Sequence, residues 1–197
     1  MADSRLIWAP THNQDDECFF RAELGTTLPT DATDELNPDF WGHGWIDEDG
    51  IENAIKRNTT KHKAFGGDVV KTTQDDYEET IKVTFLESNP AVWQTVFGAN
   101  NVDTDYSSGH RKTTIRHSSD LLERSSFVVR VVDGDRTRML VVPEGLVAEI
   151  DTIKIDHKNL WMYTVTIDCY KPATGSQPGN PDAVNEYIDE PDVAHGS

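Results

Sequence analysis

Seven histidines, two cysteines and 35 carboxylates are the residues of this 197-residue chain that could do chemistry. Their spacing does not gather them into a site. His12, His43, His62, His110, His117, His157 and His195 are scattered along the chain. His110 and His117 share a short island without an acidic neighbour, and nothing nominates a nucleophile to go with them. No P-loop, GxSxG elbow, HExxH or paired CxxC occurs. The run "DEDG", Asp47 to Gly50, invites comparison with a calcium loop. Placing Gly50 at the sixth position puts Trp45 first and Lys56 twelfth, where acids are needed, so the run reads as a solvated acidic turn. "GHGWID", Gly42 to Asp47, lacks the third glycine of a dinucleotide loop and follows no clear strand; its glycines suit a tight turn between Trp41 and Trp45. Cys18 and Cys169 lie too far apart in sequence for a metal-ligand spacing or a disulfide framework. Cys169 falls on the apolar side of "WMYTVTIDCY" and reads as a buried, reduced thiol. The expectation is therefore no catalytic residue, no cofactor and no metal.

The charge narrows the class further. A formal net charge of −17 argues against a basic reader of nucleic acid, since affinity for phosphate comes from lysine and arginine. Acidity of this size keeps a protein soluble, and it also keeps a surface from adhering to nucleic acid. No leader or membrane-length apolar stretch stands out, so the expected setting is a reducing cytoplasm and the sequon at Asn58 carries no weight. The charge is uneven. Thr11 to Glu52 holds twelve acids and one base, Arg21, whereas "NAIKRNTTKHK", Asn53 to Lys63, holds four bases and no acid. A second basic island runs from Ser107 to Ser118. From Pro172 onward there are five acids, four prolines and no base. An acidic segment and basic stretches on one chain suggest contacts between copies.

The elements that would position these groups are mainly β. Residues 1–66 read as an acidic segment and extended loop, ordered but irregular, with turn chemistry at "GTTLPTD", "LNPDFWGHGW" and "DEDG". Some of Trp8, Phe19, Phe20, Phe40, Trp41 and Trp45 must pack on the domain or on a partner. Strand signals begin near Gly67 and define a core over 67–171. In "YEETIKVTFLE", Tyr77, Ile81, Val83 and Phe85 share one side, and Glu78, Thr80, Lys82 and Thr84 the other. "SSFVVRVVDGDRTRMLVVP" predicts a hairpin around Asp133–Gly134. "LVAEIDTIKID" and "NLWMYTVTIDCY" predict another antiparallel pair, with Trp161, Tyr163, Val165, Ile167 and Cys169 on one face. A single short helix is expected at about 90–97. Asn89 caps it, Pro90 opens it and Gly98 stops it. It is too short to stand alone and must dock, through Trp93 and Phe97. Residues 172–197 have the composition of a flexible or extended extension that Tyr187 and Ile188 could anchor in part.

The stretch "APT" near Trp8, then "GTTLPTDATDELNPDFWGHGWIDEDGIE", then "FGGDVVKTTQDDYEETIKVTFLESNPAVWQTVFGANNV" resembles the major tail protein, or tail tube protein, of long-tailed bacteriophages. The likeness is to the kind found in phages of actinobacteria and spans roughly Trp8 to Lys171. It implies a two-sheet β-sandwich or open barrel with one short helix. It also implies hexameric rings whose inner strands join into one sheet continued between subunits. Such rings stack head to tail into the conduit through which DNA leaves the capsid without specific binding. Tape-measure protein, tail terminator and tail-tip or baseplate proteins are the implied partners, and no membrane is involved.

Within this resemblance, the Asn53–Gly67 loop with Lys56, Arg57, Lys61 and Lys63 is the expected inter-ring arm. The acidic run Asp47, Glu48 and Asp49 of a neighbour is its expected partner. Glu78, Thr80, Lys82 and Thr84, or Thr164, Thr166 and Asp168, are the candidates for the lumen face; alternation alone does not separate lumen from outer wall. Competing readings are a ring-forming terminator or neck protein, an acidic β-sandwich binding module and, with least support, an enzyme.

Overall fold

The computed structural model describes residues 7–10, 17–107, 109–177 and 179–191. Asp15 and Asp16 of the acidic run, with His12 and His195, lie outside them. The chain forms ten strands: β1 Phe19–Glu23, β2 Trp41–Gly42, β3 Ile46–Lys63, β4 Val69–Phe85, β5 Val102–Asp105, β6 Lys112–Ile115, β7 Ser125–Asp133, β8 Arg136–Ile150, β9 Tyr163–Tyr170 and β10 Asn185–Asp189. Among the described residues there are these ten strands and one α-helix, α1, which spans Pro90–Phe97. Eight strands make one antiparallel sheet in the order β2-β1-β7-β8-β9-β4-β3, with β10 also paired to β8; β5 and β6 form a separate ribbon.

The main sheet is rolled. Phe19 on β1 and Phe85 on β4 stand four strand steps apart in the order. In a flat sheet they would be about 19 Å apart. Their rings are 5.2 Å apart, and Phe19 also meets Phe127 of β7 at 5.8 Å. The halves of one continuous sheet therefore face each other across a core of Phe19, Ile81, Val83, Phe85, Phe127, Val165 and Ile167. The corner lies in β8. A register shift sets Pro143 and Glu144 out of the ladder, between the Phe127↔Val142 and Ser125↔Gly145 pairs. Proline fits such a bulge because it has no N–H to contribute, and the Ser126 hydroxyl donates to its carbonyl oxygen at 2.8 Å. On one side of this corner β8 pairs with β10, on the other with β9. Gly145 is needed there: a side-chain carbon would meet Phe127 at 2.8 Å and Ile167 at 2.9 Å.

β7 and the first half of β8 are covered on both faces. Phe127 and Val129 point into the main core, while Val128, Met139 and Val141 pack with Ala22, Leu28 and Phe40 in a second cluster. This explains why "FVV", Phe127 to Val129, is apolar without alternation. The chain from Pro172 is likewise not the flexible extension expected from its composition, as far as residue 191. Asn180, fully buried, donates to the Pro29 carbonyl at 3.0 Å; the Tyr187 hydroxyl donates to the Gly179 carbonyl at 2.7 Å. The C-terminal segment thus clamps the N-terminal loop and adds β10 to the sheet.

Other expectations are corrected by the same architecture. Strands begin at Phe19, not near Gly67. The expected Asn53–Gly67 loop is the second half of strand β3, and the division at residue 66 falls in the turn joining β3 to β4. The β7–β8 turn is Gly134–Asp135, closed by the Asp133↔Arg136 pair; Gly134 takes the positive φ of 66° that the first position of a primed turn needs. Trp161 lies just before β9 and is half exposed, whereas Tyr163, Val165, Ile167 and Cys169 are buried as the alternation predicts. Both cysteines are free, and burial pushes the Cys169 thiol up to about 12.

Helix α1 forms where the sequence predicts it. The Asn89 side chain accepts from the Val92 amide at 2.9 Å, Pro90 occupies the first turn, and Gly98 leaves it with φ 92°. Val92, Thr95 and Val96 are its buried residues; Trp93 and Phe97 are only partly buried and flank them. The Trp93 indole N–H donates to the Tyr163 hydroxyl at 3.1 Å, and the Phe97 ring packs on His117 at 4.7 Å. Among the described residues no helix is long and apolar enough to cross a membrane.

Candidate assembly surface

The feature that the sheet does not account for is the β3–β4 hairpin. β9 pairs with β4 only from Thr80 to Phe85. The remaining Val69–Glu79 stretch of β4 pairs with β3 alone and projects about 35 Å beyond the sheet. Burial changes at the same point: in β4 every second residue from Glu79 to Phe85 is buried, and almost everything before Glu79 is exposed. A two-stranded ribbon with both edges free is marginal in water. Its apolar residues Ile55, Phe65, Val69, Val70 and Tyr77 are exposed, Phe65 completely.

The basic residues expected on an arm do sit here, with partners that the linear sequence hid. Lys56 faces Glu78 across the hairpin, with Nζ 3.8 Å from the carboxylate. Arg57 lies over the Tyr77 ring at 5.0 Å. Thr60 donates to Asp75 at 2.5 Å. Tyr77 and Asn53 both donate to the buried carboxylate of Glu79, at 2.5 and 3.1 Å. The Glu79 acceptor pushes the Tyr77 phenol up to about 12. The root of the arm is thus charge-balanced by acids of β4. Only its end, from Thr60 to Lys71, remains basic, with Lys61, Lys63 and Lys71 against Asp68.

Asp47, Glu48 and Asp49 lie at the other end of the same hairpin. They form a bulge with Gly50, four residues set between the Ile46↔Phe85 and Ile51↔Val83 pairs. Gly50 takes φ 76° there. The span from Glu48 to His62 along one strand is about 45 Å. The acidic and basic groups therefore do not meet within one chain.

The two alternative candidate lumen sets prove to be one face. Thr80 pairs with Asp168, Lys82 with Thr166, and Thr84 with Thr164, whose hydroxyls are 2.8 Å apart. Glu78 continues the row onto the arm, opposite Lys56. Lys82 is not unpaired on this face; its Nζ is 3.0 Å from Asp151. The face holds hydroxyls with Glu52, Glu78, Glu149, Asp151 and Asp168 against Lys56 and Lys82, and is net acidic.

Sequence reasoning gave no role to two buried polar residues. His43 is fully buried between Phe19 and Phe85, with ring centroids at 5.0 and 4.9 Å, and its Nε2 lies 2.7 Å from the Thr95 hydroxyl. Burial, helped by the nearby Arg21 charge, lowers its pKa to about 3, so the imidazole is neutral. Arg21 is itself buried, donates from Nε to Ser125 Oγ at 2.9 Å and has its pKa lowered by desolvation. Period-two patterning could have placed Arg21 on the inner side of a strand, but nothing in "GHGW" marks a core histidine. Among the described residues no group of three or more His, Cys, Asp and Glu side chains could hold a metal.

A rolled antiparallel sheet, edged by β2 and β3 and carrying a long two-stranded arm, describes a structural β-protein. The chain belongs to the phage tail tube protein family, which it matches over residues 19–178. It is a non-enzymatic structural protein of the virion tail. No curated protein matches the sequence. Among solved structures it is similar to a chain of the anti-feeding prophage cap, the tube terminating cap, at TM-score 0.45 and 11% identity, covering 96% of this chain and 100% of that one. It is also similar to a chain of the native gene transfer agent virion, at TM-score 0.42 and 9% identity, covering 91% and 100%. The family match, and not these likenesses, carries the assignment.

Proposed function

We propose that this protein builds the tail tube of a long-tailed phage of the actinobacterial kind, as hexameric rings stacked head to tail into the conduit for genome delivery. The observation that carries the reading is the β3–β4 arm, a ribbon too thin to be stable by itself, basic and apolar at its end, with an acidic bulge at its base. A sheet continued from subunit to subunit would pair the free edge of β3. A stacking contact between unlike ends does not close and gives a filament. The face of Thr80, Thr164, Thr166 and Asp168, with Glu78, lines the lumen in this reading. Six copies at −17 give a formal −102 per ring. Because that face carries hydroxyls and more carboxylates than bases, it repels phosphate and DNA slides past without adhering. Tape-measure, terminator and tail-tip or baseplate proteins complete the assembly.

Negative-stain microscopy of the concentrated protein and of tails isolated from virions tests this. Hollow tubes of stacked sixfold rings are expected. Single closed rings that never stack would favour a terminator or neck protein. A monomer absent from isolated tails would remove the tube reading.

A further inference from the structure

The two ends of the β3–β4 hairpin differ in shape as well as charge. At the far end Phe65 stands fully exposed in a turn closed by Ala64 and Asp68, with Val69 and Val70 beside it and Lys61, Lys63 and Lys71 around it. At the near end, where the Leu86 amide donates to the Trp45 carbonyl, a shallow cleft of about 260 Å3 opens between Trp41 and the first turn of α1. Its lining is Trp41, Pro90, Ala91 and Gln94 and is almost wholly apolar. Trp41 is 42% exposed. Two carboxylates stand next to it. Glu17 accepts from the Gly44 amide at 3.1 Å, and Glu87 accepts from the Trp45 amide at 3.0 Å. Side chains at Gly42 or Gly44 would occupy the space of these carboxylates.

We infer that the cleft between Trp41 and Pro90–Ala91 is the seat for Phe65 of a second copy of this chain. The inference rests on the tube reading and deepens it by naming the contact. An aromatic knob ringed by lysines meets an apolar slot bordered by Glu17 and Glu87, so shape and charge are complementary. The ends lie about 55 Å apart along one extended hairpin, so the chain in this fold does not fill its own cleft. Each docked copy leaves one free knob and one free cleft, which makes the contact propagate. Surface ion pairs alone are too weak to hold such a stack; the buried ring supplies the apolar part.

Disulfide trapping tests it, in chains carrying Cys18→Ser to leave only the buried Cys169. The double variant Ala64→Cys, Ala91→Cys, which keeps the Phe65 ring, is expected when concentrated and oxidised to give a ladder of covalent multimers on a non-reducing gel. The control Ala64→Cys, Leu121→Cys, whose second cysteine is the more exposed but lies outside the cleft lining, should give at least tenfold less. In parallel, Phe65→Ser should raise the concentration needed for tube formation at least tenfold while its melting temperature as a monomer stays unchanged. A control ladder as strong as the test ladder overturns the inference, as does the absence of the test ladder. Tubes that form as readily with Phe65→Ser overturn it too, and leave the tube reading standing. A wild-type chain found in no tube and no tail sinks both.

Discussion

Strand β4 is two different strands in one. From Thr80 to Phe85 it is gripped between β3 and β9, with Ile81, Val83 and Phe85 buried in the rolled core. From Val69 to Glu78 it has β3 alone, and its side chains face water on both sides. The first half is stabilised by what it buries within the chain. The second half holds its shape through cross-strand pairs such as Lys56–Glu78 and Arg57–Tyr77, each contributing roughly 0.2–1 kcal/mol. In the proposed tube, a second copy of the chain completes this ribbon.

Mutations separate the halves most sharply at their phenylalanines. Phe85→Ala should cost about 3–5 kcal/mol in denaturant unfolding, because a packed ring is lost and a cavity is left. Phe65→Ala should leave the monomer's stability within about 0.5 kcal/mol. Equal losses at the two sites would mean that the arm is packed on its own chain.

Acid acts on the core half through His43. Its folded pKa, about 3, lies below the usual 6.5, so the stability it contributes is present above pH 6.5 and is lost progressively as pH falls toward 3. Between pH 7 and pH 5 the loss should be about 2 kcal/mol. His43→Gln, which keeps a partner for Thr95 and does not titrate, should flatten the unfolding free energy over that interval. An unchanged slope would show that the imidazole is already charged in the fold.

Smaller effects are expected at the joints. Asn89→Ala removes the cap of α1, the element that walls the cleft at the base of the hairpin, and should cost about 1 kcal/mol. On the arm, Lys56→Ala should change stability by less than about 0.5 kcal/mol, since the Lys56–Glu78 pair is solvent-exposed. A larger change, measured by thermal melting, would mean that the ribbon is stiffened by charge more than the comparison allows.

The same contrast marks what was legible in the sequence. Alternation in "TIKVTF" and "YTVTIDCY" located the buried halves of β4 and β9, because one wet face and one dry face leave a period of two. The helix was legible through Asn89, Pro90 and Gly98, whose roles are local. The arm was not: with no dry face, "AIKRNTTKHK" shows no period, and its basic run reads as a loop until Asp75, Asp76 and Glu78 are seen opposite. β10 was hidden for a related reason. Its order comes from Asn180 reaching Pro29 and Tyr187 reaching Gly179, contacts made across the chain that composition does not encode. The acids of the bulge and the bases of the tip were both visible; that one long hairpin holds them apart was not.

Amide hydrogen exchange, read on the isolated chain and on the assembled protein, tests the division of labour most directly. In the isolated chain, amides of β4 from Thr80 to Phe85 should be strongly protected, and those of 53–63 and 69–78 should exchange orders of magnitude faster. On assembly the arm amides should rise to the protection of the core. An arm as protected as the core in the isolated chain, or one still unprotected in the assembly, would contradict the account.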